Sequence, residues 1–246
     1  MTHRVLAVAL VVLVSLAGLH AAAEDAQPVV VELFTSEGCN SCPPADALLG
    51  ELSKRSDVLA LAFHVDYWDY LGWPDRFADP AYTHRQKRYA KVLAMPMVYT
   101  PQAVVDGAAH VVGSERAAIE KLVAEAKARG HTVEVRLSWT PEGNLRVDVP
   151  AAPYQGSATV WLVEYDLTQT SEVTAGENAG KTLHHVNVVR ALKAIGMWDG
   201  SDFTATLPAE SMAAEDDERY GCAVIVQPEG LGRILGAQRV IAAGPS

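Results

Sequence analysis

The chain has 246 residues, of which 49% are hydrophobic and 20% charged, and its formal net charge is −10. An acidic chain is a poor partner for nucleic acid or for an anionic membrane surface, so we expect it to bind neither. Three cysteines are too few for a disulfide-framework protein, because such domains are shorter and denser in cysteine.

The N-terminal stretch MTHRVLAVALVVLVSLAGLHAAAED has the pattern of a secretory signal peptide. Arg4 precedes an apolar run over 5–19, and the small residues Ala21 and Ala23 follow it. The run is shorter than the ~20 residues of a membrane-spanning helix. We therefore expect a signal peptide over 1–23 and a periplasmic or secreted mature protein without a membrane span after cleavage. The formal net charge of the mature protein is −11, because cleavage removes one basic residue and no acidic residue. A retained, uncleaved anchor is the alternative.

The segment that follows predicts a strand, a CxxC pair, a helix and a second strand. The apolar, β-branched run PVVVELFT over 28–35 is typical of a buried strand. From Pro44 the apolar residues have helical spacing as far as Leu52, and VLALAFHV over 58–65 predicts a second buried strand. This βαβ context favours a redox role for the CxxC pair.

The next segment predicts two more helices around a hairpin. A proline-interrupted aromatic connection leads to a helix over about 80–91. The run VYTPQAVVDG predicts a strand that begins at a proline and ends in a turn at Asp106, and AHVVGS pairs with it. Ser114 then caps a helix that stops at Gly130.

After Gly130 the pattern changes to short alternating runs without long helices. The predicted strands are TVEVRLSW, NLRVDVPA, ATVWLVEYDL, TLHHVNVVRALKAI, DFTATLP, YGCAVIVQ and ILGAQRVIA. Several short strands separated by turns are typical of a β-sandwich. We therefore predict two domains, over 28–130 and 131–246.

The order of elements over 28–130 resembles a thioredoxin-like domain, with the Thr100-Pro101 pair at the position of the cis-proline that faces the CxxC motif. The fold class that this resemblance implies is an α/β thioredoxin-like domain followed by an all-β sandwich-like domain. The motif ELFTSEGCNSCPPAD, with FHVDYWDYLGW, YTPQAVVDG and GENAGKTLHHVNVVR, also looks like a family of secreted bacterial proteins filed under a domain of unknown function.

Three features depart from the well-studied thioredoxins. Gly38 stands where many of them carry a tryptophan. Pro43 and Pro44 cannot donate backbone hydrogen bonds, so we expect the helix to begin at one of them and not at Cys39. The nearest acid on the preceding strand, Glu32, lies one position away from that of the buried acid of thioredoxins. A one-residue shift places the side chain on the opposite face of the strand, which makes Glu32 a weak candidate for a proton carrier.

The CxxC pair itself has three interpretations. Thiol chemistry needs one cysteine that attacks a disulfide and a second that resolves the mixed disulfide. A structural staple across so short a loop would add little stability, because the entropy of loop closure grows with loop length. A metal site needs more ligands than two cysteines. The other potential ligands show no ligand spacing with the pair: His64, Asp66, His84, His184 and His185.

We therefore predict an exported thiol-disulfide oxidoreductase-like protein that acts on a protein disulfide or dithiol partner in the cell envelope and needs no cofactor. Cys39 attacks with an exposed sulfur, Cys42 resolves, and Thr100 and Pro101 offer backbone to an extended substrate segment. The alternative is a non-catalytic binding module for a metal ion or an envelope protein.

Further side chains are assigned by position alone. Trp68, His64 and Asp66 follow a strand end near the CxxC pair and are candidates for substrate binding, with plain packing of the aromatic residues as the alternative. Cys222 lies in a predicted strand and is expected to be a buried, inert thiol. No chemistry is assigned to the polar cluster over 184–190.

Overall fold

The computed structural model describes residues 27–208 and 220–241, so the predicted signal peptide over 1–23 lies outside the described residues. Three α-helices are present there: α1 (Pro43–Leu52), α2 (Pro80–Val92) and α3 (Arg116–Arg129). Within those two ranges, no helix has the length and apolar character needed to cross a membrane.

Eleven strands of the described chain form two sheets. The larger sheet has eight strands in the order β11-β10-β7-β8-β2-β1-β3-β4, and the smaller has three in the order β5-β6-β9. The strands are β1 (Val29–Thr35), β2 (Val58–His64), β3 (Gln102–Val105), β4 (Ala109–Val112), β5 (Arg136–Trp139), β6 (Leu145–Val149), β7 (Ala158–Glu172), β8 (Thr182–Trp198), β9 (Phe203–Leu207), β10 (Tyr220–Pro228) and β11 (Gly236–Ile241).

The predicted fold class, a thioredoxin-like α/β domain followed by a β-sandwich-like domain, is wrong. The protein is mostly β, and β7, β8, β10 and β11 lie in the same sheet as β1 to β4, with β8 paired to β2. The strand β2 is buried along its whole length, and β8 covers the edge that β1 leaves open. The prediction failed because the change near residue 130, from alternating helices and strands to short strands alone, carries no information on which strands pair across that point.

The two faces of the larger sheet carry different helices. Val30 and Phe34 on β1 belong to a core that includes Tyr82 and Tyr89 of α2. Val31 and Leu33, which point to the other face, pack with apolar residues of α1 and α3.

The strands β1 and β2 are parallel, and Thr35 lies opposite His64 at their carboxyl ends. The CxxC loop follows β1 at this edge, so it meets the segment that follows β2.

Candidate functional site

The cysteines of the CxxC loop form a disulfide, with 5.5 Å between the Cα atoms of Cys39 and Cys42. Cys42 occupies the N-cap position and α1 begins at Pro43, which confirms the predicted helix start. Both cysteines are fully buried, so the prediction of an exposed sulfur at Cys39 is wrong for this oxidised form. Asn40 and Ser41 between them are exposed.

The Thr100-Pro101 turn lies beside this loop. Its peptide bond is cis, as predicted. The Trp68 indole Nε1 donates a hydrogen bond of 2.8 Å to Thr100 Oγ1. A Cβ placed on Gly38 would lie 2.9 Å from the Trp68 Cβ, which explains why glycine precedes Cys39 in this chain. Trp68 therefore connects the CxxC loop to the turn.

A cluster of five buried ionisable side chains lies under the loop. His64 Nδ1 is 2.7 Å from Asp75 Oδ2. His185 Nε2 is 3.3 Å from Glu37 Oε1, and its Nδ1 is 4.0 Å from Asp46 Oδ2. The rings of His64 and His185 meet edge to face with 4.8 Å between their centroids. Segments far apart in sequence thus bring three carboxyl groups and two imidazoles together.

Backbone and side-chain donors hold the carboxylates in place. Asp75 accepts hydrogen bonds from the backbone N–H of Glu37 at 2.8 Å and of Phe77 at 2.9 Å. The Trp73 indole donates to Glu37 Oε2 at 2.8 Å. Glu37 Oε1 has no hydrogen-bond partner among the described protein atoms, and the same is true of His64 Nε2 and both ring nitrogens of His185. The cluster therefore retains free sites for a proton.

The electrostatic environment divides the carboxyl groups into two kinds. Burial raises the pKa of Asp46 above its usual range, against the opposing effect of the two histidines. Burial also disfavours the ionised forms of Asp75 and Glu37, but their partners outweigh this effect. The pKa of Asp75 is lowered chiefly by His64, and the pKa of Glu37 is lowered chiefly by contact with His185. The pKa of His64 is raised because Asp75 and the other carboxylates outweigh its burial.

The connection between β7 and β8 closes the site from the other side. The fully buried Asn178 side chain donates to the carbonyl oxygens of Glu37 at 2.8 Å and Cys39 at 3.0 Å. Glu177 accepts a hydrogen bond of 3.2 Å from the backbone N–H of Asn40. The last third of the chain therefore fixes the conformation of the CxxC loop.

Comparison with known proteins gives a family. Residues 30–227 match the family model described as "Protein of unknown function (DUF1223)". The chain belongs to the DUF1223 family. A crystal structure of an Agrobacterium tumefaciens protein is similar at 36% identity and a TM-score of 0.77, with 91% of this chain and 98% of that chain covered. HBP35 of Porphyromonas gingivalis shares the fold at 16% identity and a TM-score of 0.56, with 90% of this chain and 81% of that chain covered. No curated protein matches the chain.

In this DUF1223 protein the other predicted residues have separate environments. Glu32 pairs with Arg85 at 2.7 Å on the face of β1 opposite α1, as the register argument predicted. Asp66 accepts a hydrogen bond of 2.5 Å from the Thr83 hydroxyl. Cys222 is fully buried, as predicted, and burial raises the pKa of its thiol to about 12. Among the described residues, no three side chains of His, Cys, Asp or Glu are arranged to hold a metal ion.

Sequence reasoning missed most of the buried cluster. It considered His64 as a substrate contact or a potential metal ligand, although that side chain is fully buried, and it named His185 only as a potential metal ligand without ligand spacing. A signal was present in β8, where Leu183, His185 and Asn187 alternate on the buried face of the strand. Polar residues at buried strand positions are unusual and indicate a functional or structural network.

Proposed function

We propose that this protein is an exported thiol-disulfide exchange protein that uses the Cys39/Cys42 pair on a protein partner in the periplasm or outside the cell. The observation that carries the proposal is the position of the disulfide at the start of α1, directly above a buried cluster of carboxyl groups and imidazoles. A structural staple across a loop this short adds little stability and has no need of such a cluster. The ELFTSEGCNSCPPAD segment is proposed as the signature of this chemistry.

Reduction of the disulfide proceeds in two exchanges. A partner thiolate attacks Cys39 Sγ, so that a mixed disulfide forms and Cys42 leaves as a thiolate, which takes up a proton. A second partner thiolate attacks the partner sulfur of the mixed disulfide and releases Cys39, which gives a partner disulfide. Two electrons pass from the partner to the protein, and the same steps run backwards reduce a partner disulfide while the Cys39/Cys42 disulfide forms again.

The neighbouring turn supports a role in holding the partner. Pro101 and Ala45 of α1 both border Gly113, so the turn lies close to the start of the CxxC helix. Trp68 is half-buried and its indole is held by Thr100. In the proposed complex, an extended partner segment lies against Thr100 and Pro101, next to the CxxC loop.

The full burial of both sulfur atoms favours a second candidate, a binding module for an envelope protein without turnover. In that case the disulfide would only shape the loop that the partner recognises.

Trapping with single cysteine variants tests the proposal. Cys42→Ser should form mixed disulfides with envelope proteins through Cys39, because the resolving thiol is absent, whereas Cys39→Ser should trap few. Cys222→Ser is the matched control and should leave exchange unchanged. Exchange with a small dithiol and trapped partners support the oxidoreductase. A disulfide that resists reduction, with no trapped protein, supports the binding module.

A further inference from the structure

Asp46 lies close to Cys42 at the start of α1. Its backbone N–H donates to the Cys42 carbonyl at 3.1 Å, so the two residues are one helical turn apart. Side chains four apart on a helix lie on the same face, with about 5–6 Å between their Cβ atoms. Both side chains are buried, and the Thr35 hydroxyl holds Asp46 Oδ1 at 2.8 Å.

We propose that Asp46 carries the proton of Cys42 during disulfide exchange and that His185 is the positioning residue that sets the charge of Asp46. This inference rests on the proposed function and deepens it. It assigns the proton to an acid on the CxxC helix instead of an acid on the strand before it. The strand acid Glu32 is excluded, since it pairs with Arg85 on the opposite face of the sheet.

A count of charges singles out Asp46 within the cluster. Even with both imidazoles cationic, the three carboxylates outnumber them, so one carboxyl lacks a cation of its own. Asp75 has His64 at 2.7 Å and Glu37 has His185 at 3.3 Å, whereas Asp46 is 4.0 Å from His185. Burial of a surplus charge is costly, so the least paired carboxyl holds the proton. The raised pKa of Asp46 agrees with this assignment.

Polar groups face Asp46 from every element around it. They are Thr35 of β1, His64 of β2, Asp75 of the segment after β2, and His185 of β8, whose other ring nitrogen contacts Glu37 of the CxxC loop. The anionic Asp75 favours protonated Asp46, and the two histidines favour its carboxylate. Protonation of Asp46 therefore depends on His185, which lies on β8 and not in the CxxC segment.

The proton transfer takes place when the disulfide closes. With a partner attached to Cys39 as a mixed disulfide, Asp46 acts as a base through its ionised fraction: the Cys42 thiol passes its proton to the carboxylate and becomes a thiolate. The thiolate attacks Cys39 Sγ, the bond between Cys39 and the partner breaks, and the partner leaves as a thiolate. In the reverse direction protonated Asp46 returns the proton to the leaving Cys42 sulfur.

A chromogenic aryl disulfide separates the two steps in stopped flow. With fully reduced protein, the attack by Cys39 releases the first coloured thiolate and the attack by Cys42 on the mixed disulfide releases the second. Asp46→Asn should leave the first phase within about twofold and slow the second about 100-fold near pH 7, the usual size of a general acid-base contribution. His185→Gln should slow the second phase roughly tenfold.

The controls separate a proton role from a structural one. His184→Gln changes the exposed neighbour on β8 and should alter neither phase. Asp46→Asn keeps an acceptor for the Thr35 hydroxyl, and Asp46→Glu should restore part of the second phase. In the wild type, the second phase should flatten above the pKa of Asp46. In Asp46→Asn it should instead rise roughly tenfold per pH unit with the thiolate fraction of Cys42.

Infrared difference spectra of reduced against oxidised protein provide a second readout. They should contain a protonated-carboxyl band that Asp46→Asn removes. Two normal phases in Asp46→Asn, with the band unchanged, would overturn the proton role while the proposed exchange function stood. Absence of both phases in the reduced wild type would instead refute the exchange function itself.

Discussion

Asp75 holds the buried cluster together, so replacing it tests the electrostatic account. Asp75→Asn keeps the size of the side chain but removes its charge. The carboxylate accepts from His64 Nδ1 and from the backbone N–H groups of Glu37 and Phe77, and it is only 5% exposed. An asparagine whose amide oxygen takes the place of Oδ2 can still accept from His64 and Glu37, but its amide nitrogen then faces the N–H donor of Phe77.

The expected loss of stability is large. Breaking a buried charge pair by removing one partner costs about 3–5 kcal/mol. Charge-assisted hydrogen bonds contribute about 1.5–3 kcal/mol each; the bond from Phe77 is lost, and the bonds from His64 and Glu37 no longer reach a carboxylate. These figures describe the same contacts and are not additive, so we expect a decrease of about 4 kcal/mol in the free energy of unfolding.

The loss should depend on pH with a defined sign. The pKa of His64 is raised in the folded state, so its contribution is fully present below its unfolded pKa of ~6.5 and declines as the pH rises through the folded value. The pKa of Asp75 is lowered, so its contribution is present above ~3.9 and is lost as the pH falls through the folded value. The effect of Asp75→Asn should therefore be greatest between about pH 4 and 6.5.

Urea denaturation with the disulfide intact measures this difference. Asp148→Asn is the matched control, because it removes the carboxylate of an exposed pair with Arg146 and should change the midpoint little. A loss below about 1 kcal/mol for Asp75→Asn, or one that is the same at pH 5 and pH 9, would refute the account of the pair.

Three further predictions concern a buried thiol, a buried ion pair and the CxxC loop. Cys222 should resist alkylation in the native protein and react only on unfolding, as mass spectrometry would reveal; rapid native labelling would contradict its burial. Arg85→Met should lower the free energy of unfolding, measured by urea denaturation, by about 3–5 kcal/mol, because Glu32 is left buried without a cation. Adding Glu32→Gln should recover part of this loss. Gly38→Ala should displace Trp68, change its fluorescence and lower the free energy of unfolding by about 1–3 kcal/mol. An unchanged emission spectrum would show that the loop has room for a methyl group.

Local features of this chain were predictable because short-range rules decide them. The helix start at Pro43 follows from the missing N–H groups of the two prolines, and α3 ends at Arg129 before Gly130. The opposite orientation of Glu32 follows from the two-residue period of a strand. Each of these predictions needed only a few consecutive residues.

The arrangement of the sheet was not predictable in the same way. The long strands β7 and β8 pair with each other over most of their length, and register shifts near Val160 and Glu164 interrupt the pairing. Extra residues of this kind bend a strand and increase its twist. The contact of β8 with β2 joins Val188 to Ala62, and no local pattern specifies a pair so distant in sequence.

The same reason explains the missed site residues. Asp46 lies in the helix that was predicted, but its role depends on His185, which is 139 positions further along the chain. The CxxC pair was recognisable from its spacing alone, whereas the groups that surround it come together only through the long-range pairing of the sheet.

The most direct test of the central claim is a redox titration of the Cys39/Cys42 pair at pH 7, with the reduced fraction followed by alkylation and mass spectrometry in buffers of defined dithiol to disulfide ratio. Structural disulfides of secreted proteins have potentials below about −300 mV, whereas the exchange pairs of thiol oxidoreductases lie at roughly −270 to −120 mV. We predict a reversible two-electron transition within the second range. A pair that stays oxidised down to the first range would contradict the proposed exchange function.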